Sequence, residues 1–231
     1  MGKIIIAHRR EGENYGANMS EAFRDSVDSG ADYIEFDVRR TGDGELVDCH
    51  MPWIGFRMIN RIGYLPLQEA ANRKGFSVQK ISEILRVLDG RKKVVVDLKE
   101  KGYEKDVMDM VFGYYKGKDI MVTSGNADSL ALIAENYKVL KGLILFKRSP
   151  LNLARLAFGF FPDRLYKRAR ADFIFVPYRQ ASERFLDECF NRKVPVYVWT
   201  VNERDKLEKI MKDYRISGVS TDRPRLAVNI R

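Results

Sequence analysis

Residues 33–50 read YIEFDVRRTGDGELVDCH and contain the pattern that decides the fold. Apolar residues alternate there with Glu35, Asp37 and Arg39, and the two-residue period of a β-strand puts both carboxylates on one face. The Asp-Gly pair at 43–44 supplies the positive φ angles that a tight hairpin turn needs. The chain is therefore predicted to run as a strand and then fold straight back on itself.

A two-residue turn at 43–44 also predicts the register of this hairpin. Arg39 would oppose Asp48 as an attractive cross-strand pair, and Asp37 would oppose His50. From this stretch alone two interpretations stay open. One is a metal site with an acid or base beside it, and the other is a salt-bridged hairpin with a surface histidine.

The length and composition of the chain suit one α/β barrel. The chain has 231 residues, of which 45% are hydrophobic and 32% charged, and a barrel of this type has roughly 250. We expect one domain spanning 1–231. No stretch approaches the roughly 18 apolar residues of a membrane span, and the apolar run at 3–7 is too short for a signal peptide. Cys49 and Cys189 lack metal or redox spacing, so we expect a cytoplasmic protein.

The net charge favours anionic partners. Lys and Arg number 41 against 32 Asp and Glu, a formal charge of +9, which would attract phosphorylated metabolites, lipid head groups or nucleic acid. No nucleic-acid recognition motif accompanies the charge, so we do not expect a nucleic-acid partner. The oligomeric state does not follow from the sequence.

Strands and helices alternate along the chain. The predicted strands are the one that opens 33–50 and those at 3–7, 93–99, 120–124, 142–146, 172–177, 194–201 and 218–221. Helices are predicted at 19–30, 78–88, 104–115, 129–137, 182–192 and 203–214. Eight strands that alternate with helices predict a closed (β/α)8 TIM barrel, with a β-hairpin extension and a short insertion at 51–76 after the second strand.

The residues at the carboxyl ends of these strands form a candidate site, because active sites of such barrels lie at that face. They are His8, Arg9, Glu35, Asp37, Asp97, Lys99, Ser124 and Thr200. Three carboxylates on neighbouring strands would bind a hard divalent cation through oxygen. Zinc is less expected because its nitrogen and sulfur ligands are scarce.

The remaining polar residues of this face suit a phosphoester. Arg9 and Lys99 provide donors for phosphate oxygens. His8 and His50, the only histidines of the chain, could act as base for the attacking group and acid for the leaving alkoxide.

Motifs along nearly the whole chain resemble those of the glycerophosphodiester phosphodiesterase family. The chain reads AHRR at 7–10 where the family has AHRG, then Asn18, AF at 22–23, and IEFDV at 34–38 followed by Thr41, DG at 43–44, Val47 and His50. VVVDLK at 94–99, VTSG at 122–125, WTVN at 199–202 and STDRP at 220–224 match its later motifs.

The resemblance implies a phospholipase-C-like barrel that needs Mg²⁺ or Ca²⁺ and hydrolyses glycerophosphodiesters to glycerol 3-phosphate and an alcohol. By the same resemblance the acid/base pair is His8 and His50, the metal ligands are Glu35, Asp37 and Asp97, and the phosphate contacts are Arg9 and Lys99. Four positions depart from the family pattern: Arg10 replaces a glycine, Ala17 an acidic residue, Met51 an aspartate and Asp97 a glutamate.

Two further features bear on the substrate. Residues 149–170 interleave apolar and basic side chains, which indicates either peripheral membrane contact or a lid that packs on the barrel. Trp199 could line the pocket for the alcohol group or belong to the core. Alternatives to the phosphodiesterase are lysophospholipase D-like action on lysophospholipids and a non-catalytic protein that binds phosphate or lipid.

Overall fold

A computed structural model describes residues 2–8, 19–145 and 159–231. Arg9, Arg10, Ala17 and the first ten residues of 149–170 therefore lie outside the described residues. Its strands are β1 (Ile4–Ala7), β2 (Tyr33–Arg40), β3 (Leu46–Asp48), β4 (Trp53–Ile54), β5 (Arg57–Met58), β6 (Lys93–Leu98), β7 (Ile120–Ser124), β8 (Leu140–Ile144), β9 (Phe173–Pro177), β10 (Val196–Trp199) and β11 (Ile216–Thr221).

Eight of these strands close a parallel barrel in the order β1-β2-β6-β7-β8-β9-β10-β11, because β1 pairs with both β2 and β11. The described helices are α1 (Met19–Asp28), α2 (Tyr64–Asn72), α3 (Ile81–Leu88), α4 (Glu104–Phe112), α5 (Ala127–Asn136), α6 (Asp163–Ala169), α7 (Glu183–Asn191), α8 (Arg204–Lys212) and α9 (Pro224–Ile230). The (β/α)8 barrel expected from the sequence is confirmed.

Alternation along the strands divides the apolar residues between two cores. One core fills the space between the barrel and its helices. The other lies inside the barrel, where its buried members are Ile6, Tyr33, Val95, Met121, Phe173, Phe175 and Tyr197. Position 142 of β8 requires glycine, because a Cβ there would lie 2.2 Å from the Phe173 ring inside the barrel. Only glycine leaves room for this aromatic side chain.

The hairpin of β2 and β3 has a different register from the one predicted. Val38 opposes Asp48 and Arg39 opposes Val47, so both predicted pairs, Arg39 with Asp48 and Asp37 with His50, are wrong by one residue. The strand nevertheless continues into a hairpin extension, as expected.

Thr41 explains the shift, because its side chain helps to close a three-residue loop instead of a two-residue turn. Its N–H donates to the Glu45 carbonyl oxygen at 2.9 Å, and its hydroxyl accepts from the Glu45 N–H at 3.0 Å. Gly44, at the last loop position, has a φ of 93°. An αL-like residue at that position is typical of three-residue hairpin loops.

The insertion after the hairpin comprises β4, β5, a 3₁₀ turn and α2. It packs on β3 through a small core of Val47, Ile54, Ile59, Leu67, Ala71 and Val78. Among the described residues, no helix has the length and hydropathy that crossing a bilayer requires.

Candidate active site

A cavity of about 600 Å³ opens at the carboxyl ends of the barrel strands. Predicted site residues that line it are His8, Glu35, His50, Asp97, Lys99 and Trp199. Asp37 lies beside them, in contact with Lys99. Every residue that the family resemblance assigns to the site thus lies at this cavity, except Arg9, which is not described.

Three carboxylates form a cluster at this cavity. Glu35, Asp37 and Asp97 each offer an oxygen atom, and these atoms all lie within 4.8 Å of one another. All three side chains are buried, Glu35 being the most exposed at 4%. Asp37 and Asp97 lie at matched positions of the paired strands β2 and β6, which explains why they meet.

The Lys99 ammonium neutralises part of this acidic cluster. It lies 2.8 Å from Asp37 Oδ1 and also donates to Asp97 Oδ2. Burial lowers the pKa of Lys99, but the carboxylates of Asp97 and Asp37 raise it by more. The side chain therefore stays charged among its acidic neighbours.

The negative charge of Asp97 is only partly compensated by its surroundings. Burial raises its pKa to about 7, with Asp37 and Glu35 adding to the rise and Lys99 opposing it. Its Oδ1 is buried and has no hydrogen-bond partner in the described part of the chain, and the same holds for Thr123 Oγ1 on the neighbouring strand β7.

A hard divalent cation fits this arrangement. Buried polar atoms are normally hydrogen-bonded or bound to an ion. A bound cation would give the buried Oδ1 of Asp97 the partner that it lacks among the described residues. An all-oxygen carboxylate donor set is the type that Mg²⁺ and Ca²⁺ prefer. The expectation of a carboxylate cluster able to hold a metal is confirmed.

Ser220 and Asp48, on other strands, hold the β2 part of the cluster in place through hydrogen bonds. Glu35 Oε2 accepts a hydrogen bond of 3.0 Å from the Ser220 hydroxyl on β11. Asp48 Oδ1 accepts one of 2.8 Å from the backbone N–H of Asp37. Asp48 therefore fixes the β2 backbone next to the cluster instead of pairing with Arg39.

His8 is oriented by a carboxylate from the far end of the chain. Its Nδ1 lies 2.7 Å from Asp222 Oδ1, and an ionised carboxylate can only accept, so Nδ1 donates. Asn202 in turn donates to Asp222 Oδ2 at 2.6 Å, and its own side-chain oxygen accepts from the Asp222 N–H at 2.9 Å. This chain of contacts fixes both the ring orientation and the tautomer of His8.

His50 is held through its backbone. Arg39 donates to the His50 carbonyl oxygen from Nη2 at 2.8 Å and from Nε at 3.2 Å. The third guanidinium nitrogen pairs with Glu100 at 2.5 Å. Arg39 and Glu100 thus fasten the end of the hairpin extension, where His50 faces the cavity.

Apolar side chains form another wall of the cavity. Trp199 and Phe175 contact each other with ring centroids 6.1 Å apart, and Leu165 of α6 lines the same space. Met51, which departs from the family pattern, lies at the cavity mouth next to His50. Two other residues predicted at strand ends, Ser124 and Thr200, do not line the cavity. Ser124 instead donates to the Leu98 carbonyl oxygen at 2.7 Å.

Reasoning from sequence did not assign the residues that support the two histidines. Asp222 and Asn202 lie within the STDRP and WTVN motifs, which could have pointed to them. The alternation of the strand predicts Arg39 on the same face, but its carboxylate partner is Glu100 and not the expected Asp48. Glu100, directly after Lys99, carried no signal that would have linked it to Arg39.

Comparison with known proteins gives one consistent family. The model of the glycerophosphoryl diester phosphodiesterase family matches residues 8–61 and 69–226. A glycerophosphodiester phosphodiesterase from Caldanaerobacter subterraneus subsp. tengcongensis is 25% identical over 249 aligned residues, covering 100% of this chain and 98% of that protein.

Solved structures agree with the fold. The crystal structure of a glycerophosphodiester phosphodiesterase from Thermotoga maritima has a TM-score of 0.76 and 23% identity, with 100% of this chain and 99% of that chain covered. An Oleispira antarctica phosphodiesterase in complex with the product sn-glycerol-3-phosphate has a TM-score of 0.76 and 14% identity, with 99% and 96% covered.

Proposed function

The chain belongs to the glycerophosphoryl diester phosphodiesterase family, and we propose that it hydrolyses glycerophosphodiesters to glycerol 3-phosphate and an alcohol with a divalent cation. The observation that carries this proposal is the convergence of three buried carboxylates, a lysine and two histidines on one cavity. That combination suits an anionic ester whose cleavage needs charge neutralisation and proton transfer.

Glu35, Asp37 and Asp97 are the proposed ligands of the cation, which is Mg²⁺ or Ca²⁺. When bound, a divalent cation supplies Lewis-acid stabilisation of the charge on phosphoryl oxygens. The support for these ligands is their mutual proximity and the buried, unpartnered Oδ1 of Asp97. Asp97 is one methylene shorter than the glutamate of the family pattern, so this position also bears on the choice of metal.

His8 and His50 are the proposed acid/base pair. The Asp222 carboxylate accepts from Nδ1 of His8, and Nε2 is the atom proposed to take or give a proton in the reaction. His50 approaches the cavity from the hairpin extension, on a backbone held by Arg39. Two histidines from different elements allow one to act as base and the other as acid.

Lys99 and Arg9 are the proposed phosphate contacts. Lys99 lines the cavity with a charged ammonium that already lies against the acidic cluster. Arg9 follows His8 directly in the chain, and a guanidinium can hold two phosphate oxygens at once. The product bound in the Oleispira antarctica structure is a phosphate monoester of the same class as the product proposed for this chain.

Lysophospholipids are the second candidate substrates, cleaved in the manner of a lysophospholipase D. The observation that favours them is the apolar wall of the cavity, made by Phe175, Trp199 and Leu165. Such a wall could accept part of an acyl chain as readily as a small alcohol group. The third alternative is a non-catalytic protein that binds phosphate or lipid in the same cavity and does not hydrolyse it.

The whole chain is proposed to form one domain, because the family match runs through almost all of it. The cytoplasmic location stays a prediction, as does the membrane contact of 149–170. In the described part of that segment Phe161 packs against Tyr166 with ring centroids 5.2 Å apart, whereas Phe160 is exposed.

One panel of substrates tests these alternatives. Glycerophosphocholine, glycerophosphoethanolamine, glycerophosphoglycerol and lysophosphatidylcholine are each incubated with the protein in Mg²⁺, Ca²⁺ or chelator. Release of glycerol 3-phosphate from the first three supports the proposal, while choline release from lysophosphatidylcholine alone favours the second candidate. No turnover with any metal contradicts both enzymatic functions. Unchanged turnover in His50→Ala or Asp97→Ala would contradict the site assignment.

A further inference from the structure

Four apolar side chains of the insertion are exposed together and are not used by the proposed reaction. We call them the insertion patch: Trp53 and Met58 of the β4–β5 hairpin, Phe56 at its turn, and Leu65 at the start of α2. Phe56 is fully exposed at 108%, Leu65 is 72% exposed and Trp53 53%. Several large apolar side chains exposed within one short insertion mark an interaction site.

The hairpin presents this patch on a rigid support. Trp53 pairs with Met58, and Ile54 pairs with Arg57. Ile54 is buried in the small core with Ile59 and Leu67, so one side of the hairpin is anchored. The exposure of the patch is therefore a property of the folded protein and not of a loose loop.

The chain segment that carries the hairpin is basic. Residues 49–68 contain two arginines, Arg57 and Arg61, and no aspartate or glutamate. Both arginines are exposed, and in the described ranges neither forms an ion pair. Aromatic and aliphatic side chains beside unpaired cations complement a surface that has an apolar layer beneath anionic groups.

We propose that the insertion patch docks on the surface of an anionic lipid bilayer, with Phe56 and Trp53 inserted at the interface and Arg57 and Arg61 against the anionic head groups. A second copy of this chain is a poorer occupant. A two-fold contact through the patch would bring the arginines of both copies close together.

Docking in this way would place the cavity close to the lipid. Met51 and Pro52, which line the cavity mouth, directly precede Trp53 in the chain. Substrates that reside in the bilayer or leave it would then have a short path to the site. The proposal concerns binding and does not depend on turnover.

Cosedimentation of the full chain with vesicles tests the proposal. The probes are vesicles of phosphatidylglycerol and phosphatidylcholine in equal parts, with pure phosphatidylcholine vesicles as the neutral control. The wild-type protein is expected to bind the anionic vesicles more tightly, and added salt is expected to weaken that binding. Phe56→Ser should weaken binding at least about tenfold, and the double variant Arg57→Gln/Arg61→Gln about 30-fold.

Leu132→Ser is the matched control, because Leu132 is an apolar side chain of α5 that is 43% exposed and lies outside the insertion. It should bind vesicles as the wild type does, and thermal melts should show all variants folded. Failure of the wild type to bind anionic vesicles would overturn the proposal, as would equal losses from Phe56→Ser and Leu132→Ser. A wild-type dimer that Phe56→Ser converts to a monomer would instead assign the patch to self-association.

Discussion

The two ends of the barrel interior differ in chemistry although the same strands form both. Towards the amino ends the inward positions are apolar, as at Tyr33 of β2 and Val95 of β6. Two residues further along these strands the inward positions become Glu35 and Asp97. Because every second residue of a strand points inward, the same strand face contributes packing residues at one end of the barrel and ionisable groups at the other. Substitutions at the two ends should therefore change different measurements.

Asp97→Asn is expected to give the largest change at the acidic end. The substitution keeps the shape of the side chain but removes the charge proposed to hold the cation, so kcat should fall at least about 10³-fold. The Tm without metal should stay near that of the wild type, because Lys99 keeps Asp37 as a partner. Steady-state kinetics and thermal melts check both expectations, and a large fall in Tm with unchanged kcat would reverse the assignment of this end.

Met121→Ala is expected to give the opposite result at the apolar end. Met121 is completely buried inside the barrel, and its truncation should lower the free energy of unfolding by about 3 kcal/mol. Met58→Ala is the matched control, since the exposed Met58 should change stability by less than about 0.5 kcal/mol. Denaturant unfolding measures both variants; equal effects would show that the interior packing has been misjudged.

Asp222→Ala tests the support of His8. Loss of the carboxylate leaves Nδ1 without the partner that fixes its tautomer, so kcat should fall about 10²-fold while KM changes little. The pH profile of kcat should also change, because the variant removes a negative charge that lies 2.7 Å from the His8 ring. A change confined to KM, with an unaltered pH profile, would speak against a role for Asp222 in orienting the histidine.

Arg39→Gln should give a smaller loss at the same face. The substitution removes the two hydrogen bonds to the His50 carbonyl oxygen, and looser positioning of His50 should lower kcat about tenfold. Glu100→Gln keeps the arginine and should have a weaker effect, which makes it the matched control. Equal losses in both variants would indicate that the ion pair, and not the contact with His50, is what matters.

Local patterns in the sequence were enough to predict the barrel and its acidic end. The strand at 120–124 coincides with β7, and alternation along β2 and β6 placed Glu35, Asp37 and Asp97 on the inward face. Such patterns depend only on the period of a strand and on its carboxyl end facing the site, so no tertiary detail was needed.

Contacts that depend on closure and on single side chains escaped prediction. His8 and Asp222 are 214 residues apart and meet only because β1 pairs with β11 to close the barrel. The hairpin register differs from the predicted one because hydrogen bonds of Thr41 close a three-residue loop where the Asp-Gly pair favours a two-residue turn. Neither effect is encoded in hydrophobic periodicity.

The central claim is that the acidic end of the barrel is a metal-dependent phosphodiesterase site. The most direct test measures the release of glycerol 3-phosphate from glycerophosphocholine as Mg²⁺ or Ca²⁺ is added back to chelator-treated protein. We predict no release in chelator, saturable recovery with one of the two ions in the wild type, and no recovery in Asp97→Asn. Equal release with and without chelator, or full recovery in Asp97→Asn, would contradict the claim.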